Sequence, residues 1–195
     1  PDTEIVNPVP LLIGANADEM LMYLDAEDPT PFASALTSYA PAKTPWRKAI
    51  AAYFEGSEGD TLEKANALTS AAEFFCPALD LARQLASNNI PVFFYYFTRT
   101  RPGGESLGAY HGAEIPYVFD TEDTWLPAND VDLSLTAAMQ GYWLNFAANG
   151  DPNGGDRVVW KPMGISGLNI QELGDVVGPT SDHPAEACAL FSTSS

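Results

Sequence analysis

Cysteine and basic residues are scarce in this 195-residue sequence, and each scarcity argues against a class of function. Two cysteines, Cys76 and Cys188, are too few for a four-cysteine zinc site. They form either a disulfide or two buried free thiols, and their spacing does not decide which. Nine basic residues against 26 acidic ones give a net charge of −17, which disfavours nucleic acids and anionic lipids as partners. No apolar run approaches the roughly 20 residues that cross a membrane.

Hydrophobic residues make up 46% of the chain, which is typical of a globular protein with a packed core. Short apolar runs that indicate strands alternate with longer segments of helical periodicity. We expect three strands, at residues 8–14, 91–99 and 165–173. We expect helical segments at residues 32–54, interrupted at Pro41 and Pro45, at 61–88, as one or two helices, at 134–148 and at 185–190. Ser134 is expected to cap the third of these segments. This alternation of elements predicts an α/β fold.

The first two predicted strands have the apolar composition of central strands in a parallel sheet. A central strand needs a neighbour on each side, because its open N–H and C=O groups otherwise invite aggregation. Three strands do not supply all of these neighbours. We therefore expect residues 1–195 to be a segment of one larger domain.

Two side chains with acid–base chemistry follow the predicted strands. Glu19 comes just after the first strand, where α/β folds keep functional carboxylates, although it could equally be a first-turn acid that stabilises a helix. His111 lies in a glycine-rich loop after the second strand, where it is either a general base or a structurally bonded surface histidine. His183 lies in a polar tail, and we expect it to have no functional role.

Ser106 lies in the pattern G-x-S-x-G, which marks the nucleophile of many hydrolases. That serine normally occupies a sharp turn between a strand and a helix. Here a flexible stretch, Arg101-Pro102-Gly103-Gly104, separates the serine from the strand, and glycines and a proline prevent a helix directly after it. We therefore expect that Ser106 is not a nucleophile.

Four stretches resemble, in the same order, segments of the type-B carboxylesterase family, which also includes the cholinesterases. They are VPLLIGANADE at 9–19, FFCPALDLARQL at 74–85, GAYHGAEIPYVF at 108–119 and YWLNFAANGDPN at 142–153. The third stretch carries H-G-x-E-I, the core of the family's catalytic-histidine segment. The sequence is thus similar to the C-terminal portion of an α/β-hydrolase fold, a mostly parallel sheet flanked by helices.

This resemblance implies a role for each matching residue. Glu19 would be the triad acid, His111 the general base, and Glu114 a buried supporting glutamate. Cys76 and Cys188 match a family disulfide, which implies an oxidising compartment and a secreted or periplasmic protein. The implied activity is hydrolysis of small-molecule carboxylic esters without a metal or cofactor. The nucleophile serine and the oxyanion hole would come from an N-terminal segment outside these 195 residues.

The sequence also departs from the family pattern. Met20 stands where the family usually has glycine after the acid, and the sequence has no N-x-S/T glycosylation site. A second hypothesis is a non-catalytic, cholinesterase-like adhesion protein that keeps the fold after losing the nucleophile. The retention of both Glu19 and His111 favours the enzyme, and the residue at the nucleophile position of the N-terminal segment would distinguish the two.

Overall fold

The computed structural model describes residues 7–40, 46–121, 125–164 and 167–191. Within these ranges the strands are β1 (Leu11–Asn16), β2 (Val92–Phe97), β3 (Ile170–Leu173) and β4 (Val177–Thr180). The α-helices are α1 (Pro31–Tyr39), α2 (Arg47–Glu55), α3 (Thr61–Ser70), α4 (Cys76–Ser87), α5 (Ile115–Phe119), α6 (Asp130–Asn149) and α7 (Ala185–Phe191). A 3₁₀ turn at Leu21–Tyr23 follows β1, and a π-helical turn at Ala71–Phe75 joins α3 to α4.

The four strands form one sheet in the order β1-β2-β3-β4. β1 pairs with β2 and β2 with β3 in parallel, whereas β4 pairs antiparallel with β3. The register aligns Leu11 with Val92 and Asn16 with Phe97, so β1 and β2 end level with each other. Because the carboxyl ends of parallel strands meet at one edge, the segments after β1 and β2 emerge side by side.

Helices cover both faces of the sheet, and β2 contributes to the core on each side. Val92 and Phe94 belong to a core shared with α2, α3, α4 and α7, whereas Phe93 and Phe97 belong to a second core shared with α5 and α6. Successive side chains of a strand point to opposite faces, so an aromatic strand of this kind must be buried on both sides. The α/β fold predicted from the sequence is confirmed, and its helix-flanked, mostly parallel sheet fits an α/β-hydrolase.

A disulfide between Cys76 and Cys188 joins the start of α4 to α7. Both cysteines are buried in the first core, and 112 positions separate them along the chain. The pairing inferred from the family resemblance is therefore confirmed.

Removing this disulfide, by Cys76→Ala together with Cys188→Ala, is expected to lower the free energy of unfolding by ~4–5 kcal/mol in the chain-entropy model. The reason is the long loop that the bond closes in the unfolded chain. In the full-length protein this loss corresponds to a fall in Tm of several degrees. Thermal unfolding with and without reductant checks this. Reductant should lower the Tm of the wild type and leave that of the double variant unchanged, and equal effects on both would contradict the prediction.

The strand predictions were incomplete. β4 was missed because its sequence, Val-Gly-Pro-Thr, contains two residues that are rare in strands. Pro179 is tolerated because β4 lies at the edge of the described sheet, where an N–H can be absent from the ladder. β1 starts later than expected, and it also lies at an edge within the described residues. The expectation that it is a central strand is therefore not met by this segment alone.

The helix predictions were correct in position but not in their boundaries. α6 begins at Asp130, and Asn129 caps it by accepting hydrogen bonds from the N–H groups of Val131 and Asp132. Ser134 is not the cap, since it lies inside the helix and donates to the carbonyl of Asp130. The expected helical segment at 32–54 is observed as two helices, α1 and α2. The predicted interruptions at Pro41 and Pro45 lie in residues 41–45, outside the described ranges, as do residues 165–166 of the third predicted strand. No helix in the described ranges is long and apolar enough to span a membrane.

A buried ion pair attaches α6 to the chain that leaves β2. Arg99 donates to both carboxylate oxygens of Asp132, at 2.7 and 3.0 Å, and Tyr117 of α5 donates to the same carboxylate at 2.7 Å. Burial alone would raise the pKa of Asp132, but the bonds from Arg99 and Tyr117 outweigh it and lower this pKa to about 2. The anchored chain leads from β2 to the loop that contains His111.

Candidate active site

Glu19 and His111 lie in contact at the carboxyl edge of the sheet. Glu19 follows β1 by three residues, and His111 lies in the loop between β2 and α5. The distance between His111 Nδ1 and Glu19 Oε2 is 2.6 Å, although 92 positions separate the two residues in the sequence. The two sequence-predicted site residues are therefore brought together, in the geometry of a carboxylate that orients an imidazole.

The carboxylate of Glu19 is buried, with 6% of the residue exposed. Its Oε1 accepts the backbone N–H of Asn16 at 2.8 Å, and its Oε2 faces His111. Burial raises the pKa of Glu19, while the bonds from Asn16 and His111 oppose that rise. An ionised carboxylate can only accept hydrogen bonds, so the imidazole proton belongs on Nδ1. Nε2 is then left with a lone pair that can accept a proton.

The imidazole of His111 lies between two aromatic rings. The ring of Phe74 is 5.2 Å from it and that of Tyr23 is 6.2 Å away, measured between centroids. The side chain is still 48% exposed. A reacting group from outside the described residues can therefore reach this imidazole.

Glu114 joins the site through Asn16 and not through the histidine. The side-chain amide of Asn16 donates to Glu114 Oε2 at 2.6 Å and to the carbonyl of Tyr110 at 2.9 Å. Glu114 is half-buried and not buried as expected, and it lies one residue removed from the Glu19–His111 pair.

Asp18 is a second polar residue at the end of β1 that the sequence did not single out. It accepts the backbone N–H of Ala109 at 2.7 Å and the side-chain amide of Asn66 at 2.7 Å. Its own N–H donates to the carbonyl of Ala109 at 3.1 Å. Asn16 is the last residue of β1, and Asp18 lies two positions later. Polar residues at the end of an apolar strand are the sequence signal that would have indicated both.

Glycine is required at position 108, where the loop that contains His111 meets the segment that follows β1. Its φ of +61° is in the left-handed region, which favours glycine. A Cβ at this position would lie only 2.2 Å from Asp18 Oδ2. The histidine loop can therefore approach Asp18 closely only because residue 108 has no side chain.

Ser106 does not occupy a nucleophile elbow. β2 ends at Phe97, and α5 begins only at Ile115. Between them Ser106 is exposed in a turn closed by the bonds from Leu107 and Gly108 to the carbonyl of Gly104. The strand-to-helix turn of a hydrolase nucleophile is therefore absent at this serine.

His183 lies elsewhere in the fold, just before α7. Its ring stacks on Phe75 with 6.1 Å between centroids, and burial lowers its pKa. It contributes to core packing and not to the Glu19–His111 pair.

A cavity of about 530 Å³ opens beside Asp18, on the side of α3. Its lining includes Asn66 and Ser70 but neither Glu19 nor His111, so this cavity is not a pocket around the imidazole. Among the described residues, no group of three or more histidine, cysteine, aspartate or glutamate side chains is arranged to hold a metal ion.

The sequence of this chain is similar to that of a known protein family. The family model described as "Carboxylesterase family" matches residues 2–177. Carboxylesterase 4A of Bos taurus is 32% identical over 97 residues, which cover 48% of this chain and 18% of the relative. The medium-chain fatty acyl-CoA hydrolase precursor of Anas platyrhynchos is 27% identical over 181 residues, covering 80% of this chain and 32% of the relative.

A neuroligin also occurs among the relatives. Human neuroligin-2 is 36% identical over 100 residues, covering 45% of this chain and 12% of the relative. The chain thus spans about a third or less of the length of these curated relatives. The family model, in contrast, matches most of the chain, together with the acid and histidine segments that meet at the sheet edge. The chain therefore belongs to the carboxylesterase family.

Proposed function

We propose that this chain is the C-terminal segment of a serine carboxylic-ester hydrolase and supplies the acid and the general base of its catalytic triad. The observation that carries the proposal is the 2.6 Å contact between His111 Nδ1 and Glu19 Oε2. In a member of the carboxylesterase family, a buried carboxylate that orients a half-exposed imidazole is the arrangement that activates a serine. No cofactor is needed for this chemistry.

In the proposed reaction, the serine Oγ attacks the acyl carbon of the ester while His111 Nε2 takes the hydroxyl proton. Glu19 keeps the proton of the neutral imidazole on Nδ1 and stabilises the imidazolium that forms. The tetrahedral intermediate then expels the alcohol, which takes the proton from Nε2. A water molecule attacks the acyl-enzyme in the same way, releasing the carboxylic acid and restoring the serine.

The serine and the oxyanion-hole donors are proposed to come from an N-terminal segment of the same protein. Support comes from the edge of β1 that faces away from β2, which pairs with no strand among the described residues. Leu11 and Ala17 donate their N–H groups to the chain of β2, so the alternating backbone of β1 directs the polar groups of Leu12 and Gly14 to the other side. The carboxyl end of a further parallel strand on that side would lie at the same edge of the sheet as that of β1. A serine following it would then be close to His111.

The alternative is a non-catalytic, cholinesterase-like binding or adhesion protein, and the neuroligin-2 match is the observation that favours it. The retention of both Glu19 and His111 favours the enzyme, because an adhesion module makes no use of this pair. The discriminating observation is the residue at the nucleophile position of the N-terminal segment. A serine there supports the enzyme, whereas glycine or alanine supports the alternative.

The disulfide also bears on where the protein acts. Disulfides persist in oxidising compartments and are rare where thiols are kept reduced. We therefore propose a secreted or periplasmic location, with a small-molecule ester as the substrate.

The Ser106→Ala variant of the full-length protein is expected to keep kcat within a few-fold of the wild type, because Ser106 does not occupy a nucleophile elbow. A fluorophosphonate probe, which labels activated serines, is expected to react with a serine of the N-terminal segment. Peptide mapping by mass spectrometry locates the adduct. An adduct on Ser106 would overturn the assignment, and failure of the wild type to react with the probe or to hydrolyse any ester would count against the enzyme itself.

A further inference from the structure

The two residues that precede His111 are held by side chains from the end of β1. Asn16 donates its amide to the carbonyl of Tyr110 at 2.9 Å, and Asp18 accepts the N–H of Ala109 at 2.7 Å. Both side chains belong to the segment that contains Glu19. The acid and the histidine are therefore connected by two side-chain bonds to the backbone, in addition to their own contact.

We propose that Asn16 and Asp18, here called the β1 clamp, are positioning residues that fix the imidazole of His111 against Glu19. The clamp is distinct from the triad because neither residue contacts an atom that reacts in the proposed mechanism. Its effect on turnover rests on the proposed function. Its effect on the geometry of the histidine does not.

The hydrogen bonds of Asn16 determine how its side chain is oriented. Its Nδ2 lies within hydrogen-bond distance of two oxygens, those of Tyr110 and Glu114, which can both accept. The opposite amide orientation would place the side-chain oxygen against both acceptors. Oδ1 of Asn16 is buried and has no hydrogen-bond partner among the described residues. An unsatisfied buried acceptor is unfavourable. The side chain is therefore held in this orientation by the two hydrogen bonds that it donates.

Asp18 is itself held from the other side. Its Oδ1 accepts from Asn66 of α3, whose own side-chain oxygen accepts from Ser70 at 2.9 Å. Burial raises the pKa of Asp18, while the bonds from Ala109 and Asn66 oppose that rise. The close approach of Gly108 leaves the carboxylate little space to move. The histidine loop is therefore attached through Asp18 to a helix and not only to another loop.

Without the clamp side chains, the position of the imidazole would depend on its contact with Glu19, on the nearby aromatic rings and on the single backbone bond from Asp18 to Ala109. The loop before His111 contains several glycines, and the imidazole is half exposed, so these contacts alone hold it weakly. A displacement of about 1 Å in a catalytic group can lower the rate ~10²-fold. This is the size of effect expected from removing either clamp residue.

The test uses Asn16→Ala and Asp18→Ala in the full-length protein. Each is expected to lower kcat ~10²-fold while KM changes by less than about threefold, since neither residue contacts substrate in the proposal. Asp18→Asn should recover part of the loss, because its side-chain oxygen can still accept the N–H of Ala109 while its NH2 group loses the bond that Asn66 donates to Asp18. Thr69→Val is the matched control. Thr69 is buried in the same helix as Asn66, and among the described residues its hydroxyl bonds to two carbonyls of that helix.

Rates are normalised to the fraction of folded enzyme, measured by fluorophosphonate titration and circular dichroism. A second readout is the low-field proton NMR signal of the His111 Nδ1–H bonded to Glu19, assigned by its loss in His111→Ala. This signal should be present in the wild type and in Thr69→Val, and weakened or lost in both alanine variants of the clamp. The NMR readout is independent of ester hydrolysis, so it tests the clamp even if the wild type has no esterase activity.

Three results would overturn the clamp: kcat within threefold of the wild type in both alanine variants, an unchanged low-field signal in both, or an equal loss of kcat in Thr69→Val. A wild type without esterase activity would instead refute the proposed function.

Discussion

Replacing His111 by alanine in the full-length protein is expected to lower kcat at least ~10³-fold. The reason is the loss of the only group that the proposal provides to take the serine proton. Glu19 does not substitute for it, because one of its oxygens is bound by Asn16 and the carboxylate is buried behind the imidazole. Substrate binding does not use the imidazole in the same way, so KM is expected to change much less than kcat.

The measurement is steady-state hydrolysis of a chromogenic ester, with the folded fraction checked by circular dichroism. His183→Ala is the matched control, since it removes the other histidine of the chain, which packs on Phe75 and not on Glu19. This control is expected to keep kcat within a few-fold of the wild type, whatever its effect on stability. Ester hydrolysis at a near-normal rate by His111→Ala would reject His111 as the general base.

Glu19→Gln is expected to lower kcat by ~10³-fold or more while leaving the fold intact. Glutamine has nearly the same shape and can still accept the N–H of Asn16. Its amide, however, would donate to His111 Nδ1, which moves the imidazole proton to Nε2. A protonated Nε2 cannot accept the serine proton, so the base is present but in the wrong tautomer. Normal kcat in this variant would contradict the assignment of Glu19 as the triad acid.

The same variant has an expected effect on stability, with a sign fixed by the pKa of Glu19. Burial raises that pKa in the folded state, despite the opposing bonds from Asn16 and His111. A carboxyl with a raised folded-state pKa stabilises the protein fully below its unfolded pKa, about 4.3, and this stabilisation is lost as the pH rises through the folded pKa. The wild type should therefore lose more stability than Glu19→Gln as the pH rises from about 4 to neutrality. Chemical denaturation at several pH values measures this, and parallel curves would contradict it.

The sequence was informative wherever a local pattern dictates structure. β2 is apolar and aromatic along its whole length, and such a segment is stable only between two covered faces. β4 was missed because pairing with β3, and not its own composition, makes Val177–Thr180 a strand. The start of α6 was also missed, because two acidic residues and the cap Asn129 precede the apolar pattern that marks the helix.

The sequence by itself determined the fold class, the segments that contain Glu19 and His111, and the family resemblance that pairs Cys76 with Cys188. Composition and periodicity describe short stretches of sequence, so they indicate strands, helices and the fold class. The family resemblance comes from recognisable motifs. Only the tertiary structure decided which side chains of those segments meet. The parallel register of β1 and β2 brings residues more than 90 positions apart to one edge of the sheet. Asn16 and Asp18 are ordinary polar residues in the sequence, and they reach the histidine loop only because that register places it beside them.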